Sequence, residues 1–72
     1  MTIRHETVRS SVYAAKVFCT DCNRHLAVIH NGYGEDAEPV DRSDMDSLDD
    51  IAEHHDDVTM GLHDVVVYTF IK

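Results

Sequence analysis

Ser10-Ser11-Val12-Tyr13-Ala14-Ala15-Lys16-Val17-Phe18-Cys19-Thr20-Asp21-Cys22, continued by Asn23-Arg24-His25-Leu26-Ala27-Val28-Ile29-His30, reads as two β-strands joined by a cysteine turn. Val12, Ala14 and Phe18 alternate with Ser11, Tyr13, Ala15 and Val17 over a β-branched and aromatic background, the period-two pattern of a strand. Thr7, Val8, Val12 and Val17 are poor helix formers, which argues against a helix over 7–17. The second run, Arg24 to His30, ends at Asn31-Gly32-Tyr33-Gly34, a cluster rich in turn formers. A hairpin with Cys19 and Cys22 at its tip is the expected product.

Beyond the hairpin, Glu35 to Arg42 has turn chemistry and the chain's one proline, Pro39, and reads as a loop. Ser43 followed three residues later by Asp46 has the form of a capping box, and predicts a helix over residues 44–57. Met45, Leu48, Ile51 and Ala52 recur at offsets of three and four, one apolar stripe that would face the hairpin. The stripe extends to His55, with His54 rotated about 100° away. After the turn at Met60-Gly61, His63 opens a third strand through Ile71. The expected fold is α+β: a β-β-α-β domain with an antiparallel three-stranded sheet and one helix on one face, a single domain over residues 1–72.

A chain of 72 residues buries a core worth only about 3–5 kcal/mol and gains from a staple. A disulfide between cysteines two residues apart closes too short a loop to restrain the unfolded chain much. A metal restrains more. Cys19 and Cys22 offer two thiolates at the hairpin tip, His55 an imidazole at the end of the helix, and His63 another at the start of the last strand, spaced Cys-x2-Cys-x32-His-x7-His. Zn2+ suits this donor set, being borderline-soft and at ease in a tetrahedron, and four protein ligands would make the site structural. His54 is the main rival to His55, and His30 a weaker one that would release His63. His5 and His25 read as surface or strand residues.

Cys19-Thr20-Asp21-Cys22, Ala52-Glu53-His54-His55 and Gly61-Leu62-His63 together resemble the Cys2His2 zinc-finger family, over residues 16–63. The resemblance implies a cysteine hairpin pinned by zinc to the C-terminal end of a following helix. It stops at the metal site. The cysteine-to-histidine separation exceeds the ~12 residues of a DNA-reading finger, and the histidines are spaced beyond its usual 3–5. The expected helix carries seven acids in fourteen residues, where a groove-reading helix needs Arg and Lys.

Charge is segregated. Eleven of the fourteen acidic residues lie between Glu35 and Asp57, where Arg42 is the only base, so this stretch carries −10 of a net −8. Residues 1–24 hold Arg4, Arg9, Lys16 and Arg24 against Glu6 and Asp21, a balance of +2. An anionic lobe repels phosphates and attracts basic partners, so direct nucleic-acid binding through that side is disfavoured. The alternative reading is that the acids simply keep a small protein soluble. No apolar stretch approaches a membrane span of about 20 residues, so a soluble, cytoplasmic protein with reduced thiols is expected. Enzyme activity is not expected: there is no His-Glu-x-x-His pair and no glycine-rich phosphate loop. A redox pair would place Cys-x-x-Cys at a helix N-terminus, whereas strands flank this turn.

The last strand carries Val65, Val67, Thr69 and Ile71 on one face and Val66, Tyr68 and Phe70 on the other. One helix covers one face only, which leaves an apolar surface for a homodimer or protein partner, through the open face or edge of this strand, unless residues 1–9 fold across it. The sequence therefore reads as a small acidic zinc-binding protein-interaction module. In its sharper form it is an inhibitor imitating DNA before a basic partner, in the manner of small phage-encoded inhibitors. The alternative is a finger-like nucleic-acid binder using Arg4, Arg9, Lys16 and Arg24.

Overall fold

Val65, Val66 and Val67 are consecutive, β-branched and all fully buried. Side chains alternate across a strand, so burial of all three requires cover on both faces, which an edge position does not supply. A computed structural model describes residues 3–72 and shows how the chain meets this demand. Strands β1 (Ile3–Arg9), β2 (Val12–Cys19) and β3 (Arg24–Tyr33) precede helix α1 (Arg42–Val58), and strand β4 (Val65–Ile71) follows it. The sheet order is β1-β4-β2-β3, so the last strand lies inside the sheet.

This architecture is α+β with one helix, as expected, but the sheet has four strands and is mixed. β2 is antiparallel to both β3 and β4, whereas β1 runs parallel to β4, with Ile3 opposite Val65 and Arg9 opposite Ile71. Residues 3–9 thus widen the sheet instead of folding across its open face. They carry no apolar alternation because, apart from half-buried Ile3, every residue of β1 is exposed. Ser10 and Ser11 carry the chain over the end of β4, where the Ser10 N–H donates to the Ile71 carbonyl at 2.7 Å. Both long sides of β4 are paired, so the free edge expected of the last strand does not exist; β1 and β3 form the edges.

The core lies between the sheet and α1. Ala15, Val17, Val65 and Val67 pack with Leu48 and Ala52, and Ile3, Leu26, Ala27, Ile29 and Met45 surround them. Ile51, expected in the buried stripe, is exposed; the buried positions of α1 are Leu48, Ala52 and Asp56, successive residues at a spacing of four. On the other face Val66 is covered from within its own layer, opposite Phe18 and Arg4. Lys16 lies across the same face, 5.2 Å from the centre of the Tyr68 ring and 5.3 Å from that of Phe70.

Three boundaries differ from the sequence expectation. Asn31-Gly32-Tyr33 continues β3, because Gly32 takes φ +103° and lets the strand bend. The chain then makes a single helical turn at Gly34–Asp36 and returns along β3, with the Asn31 amide and carbonyl bonded to Pro39 and Glu38. Helix α1 starts at Arg42 behind Asp41, which makes no side-chain cap; Ser43 lies inside the helix, so the capping box does not form. Asp41 is the last extended residue of the run that Pro39 stiffens, and its carbonyl accepts the first helical bond, from Met45. Finally, His63 precedes the last strand, which begins at Val65.

Candidate metal centre

One end of the sheet gathers the C-terminus of β2, the start of β3, the start of β4 and the last turn of α1. Cys19 is the final residue of β2 and points to the helix side with Ala15 and Val17, fully buried. Thr20 and Asp21 form the turn, and Asn23 takes the left-handed conformation, φ +53°, that Asn tolerates better than most residues. Reversal there sets the Cys22 thiol beside that of Cys19, and the Cys22 N–H donates to Cys19 Sγ at 3.4 Å.

From the helix, His55 reaches the same point: its Nε2 is 3.2 Å from Cys19 Sγ and 3.9 Å from Cys22 Sγ. From the segment before β4, His63 Nδ1 is 3.5 Å from both sulfurs. All four donor atoms lie within 4.8 Å of one another. In a zinc tetrahedron with Zn–S about 2.3 Å and Zn–N about 2.0 Å, sulfur and nitrogen sit about 3.5 Å apart. The observed separations straddle this value, so the cluster is consistent with a zinc site.

The four donors predicted from the sequence are therefore brought together, and the rivals are not. His54 points to solvent, while His30 packs on Tyr33 with ring centres 4.1 Å apart. His5 contacts Asp49 at 3.1 Å and His25 meets Phe18 edge-on. Both thiols are free. The Cys22 thiol is held above its ordinary pKa, chiefly by its hydrogen bond to Cys19, then by desolvation and the negative charge of Cys19 and Asp21, with Arg24 opposing. A coordinating metal deprotonates its thiol ligands, which opposes this effect at Cys22.

Sequence reasoning missed the layer behind the donors. The Asp64 N–H donates to the Asp21 carboxylate at 2.5 Å, and the Thr20 N–H and hydroxyl donate to the Asp64 carbonyl at 2.9 and 3.1 Å. These bonds strap the cysteine turn to the residue after His63. At the helix end, Thr59 donates from both its N–H and its hydroxyl to the His55 carbonyl. Asp21 and Asp64 are distant in sequence and carry no motif, so only their proximity reveals the strap.

Comparisons with family models, with curated proteins and with solved structures return no match for this chain. Among the described residues no helix is long and apolar enough to cross a membrane.

Proposed function

We propose that this protein is a small protein-interaction module held in shape by one structural zinc ion on Cys19, Cys22, His55 and His63. The single observation that carries the reading is the convergence of two thiols and two imidazoles from three separate places in the chain. Four protein donors fill a tetrahedron and leave no position for water or substrate, which favours a structural over a catalytic role. The depression lined by Ile3, His5, Asp49 and Glu53 holds about 170 Å³, below the ~300 Å³ at which small-molecule sites begin.

What remains for recognition is surface. Asp44, Asp46, Asp50, Glu53 and Asp57 are exposed along α1, whereas Asp56 is buried. This charged ridge suits a basic protein, and imitation of DNA is its sharpest form. The bases that a nucleic-acid binder would use are dispersed: Arg4 engages Asp64 at 3.0 Å and Glu6 at 3.7 Å, while Arg9 lies at the opposite end of β1.

Elemental analysis of purified protein tests the metal directly. One zinc per chain and loss of structure in chelator are expected; apo protein that stays folded would overturn the reading.

A further inference from the structure

The two most exposed large apolar side chains among the described residues are not on the sheet. Met60 is 84% exposed and Leu62 80%, both in the short turn after α1, and Val58, the last residue of α1, is 63% exposed. A single exposed apolar side chain is ordinary, whereas several close together in the chain point to a contact surface. The turn is also firmly built. Thr59 N–H bonds the His55 carbonyl, Met60 N–H that of Asp57, Gly61 N–H that of Asp56 and Leu62 N–H that of Thr59, all between 2.8 and 3.1 Å.

Met60 adopts φ +57° and Gly61 φ +73°. A left-handed position is relaxed for glycine and tolerable for asparagine, so methionine there carries strain that a purely connecting turn would avoid. The side chain itself is therefore the feature that the position supplies. Methionine is also adaptable in shape and polarisable, properties that suit an interface.

Resting on the proposed protein-binding role, we propose that Val58, Met60 and Leu62 form a docking knob that enters an apolar cleft on a protein partner, and that lysines or arginines border this cleft. The charge beside the knob selects the partner's chemistry: of the acids in residues 53–64, Glu53 and Asp57 are exposed, Asp56 is buried and Asp64 is paired with Arg4, and the stretch itself holds no lysine or arginine. Exposed Glu53 and Asp57 join the knob to the acidic ridge of α1, so one partner surface meets both. The two proposed ligands bracket the turn, so the metal presents the knob in a fixed shape and lowers the ordering cost of binding.

The test places a photoreactive benzoylphenylalanine at Met60, or at the distant exposed residue Tyr33 as control, in cells that make the protein. The cross-linked protein is then purified and titrated with zinc-loaded wild type, with Met60→Asp/Leu62→Asp, and with Asp50→Asn/Glu53→Gln/Asp57→Asn. We expect an adduct from position 60 alone, at least 100-fold weaker binding by the aspartate variant with its zinc content and melting temperature intact, and affinity that falls with added salt. Binding lost only in the amide variant would overturn the knob and leave the acidic-ridge reading standing. No adduct at either position, or full binding by both variants, would overturn both. A self-adduct, or sedimentation with neutral phosphatidylcholine vesicles that requires Met60 and Leu62, would assign the turn to self-association or to a lipid surface and overturn the protein-cleft proposal.

Discussion

Cys19 differs from its partners at the proposed centre in being fully buried, with both imidazoles and the Cys22 N–H directed at its sulfur. Cys19→Ser should weaken zinc affinity by more than the ~10–100-fold that loss of an outer support brings, measured by competition with a chromophoric chelator. Asp21→Ala removes the strap to the Asp64 N–H while leaving all four donors in place, and a loss near the ~10-fold end of that range is expected. Gly32 makes a different prediction. A Cβ there would lie 2.9 Å from Ala37 Cα and 3.0 Å from the Asp36 carbonyl oxygen, at φ +103°. Gly32→Ala should therefore destabilise the fold by about 1–3 kcal/mol in denaturant titration. The donor set was legible in the sequence because thiols and imidazoles are rare enough for their spacing to stand out. The role of Gly32 was not, because Asn31-Gly32 has the same turn chemistry whether the chain reverses there or merely bends.

Among the elements, α1 shows how a correct period can still mislead in detail. Met45, Leu48, Ile51 and Ala52 fit one stripe, yet the face that meets the sheet is centred on Leu48 and Ala52, which turns Ile51 outward. Leu48→Ala should cost about 2–5 kcal/mol by opening a cavity, whereas Ile51→Ala should cost under about 1 kcal/mol. Equal losses in paired thermal melts would contradict this placement. The β2–β3 hairpin and β4 were readable from apolar and β-branched runs. β1 was not: Arg4, His5, Glu6 and Arg9 show none of the alternation that marks a half-buried strand, because both faces of this edge are exposed. Its charges fit that place, since charged edge strands discourage pairing with other chains.

The proposed ion ties the end of α1 to the sheet at the point where β2, β3 and β4 meet. Chelation should abolish the cooperative thermal transition, followed by far-UV circular dichroism, and added zinc should restore it, as in other small domains where metal binding and folding are one event. A melting temperature unchanged by chelator would count against the structural role. What the sequence did not reveal at this scale is strand order: the double-faced apolar character of β4 announced that something must cover it, but not that β1 and β2 would flank it. That arrangement has a further consequence for how the protein is made. Residues 65–71 occupy an interior slot between strands translated much earlier, so the sheet cannot close while they remain in the ribosomal tunnel. A nascent chain halted before them would expose two unfilled strand edges, the kind of surface on which incomplete chains aggregate.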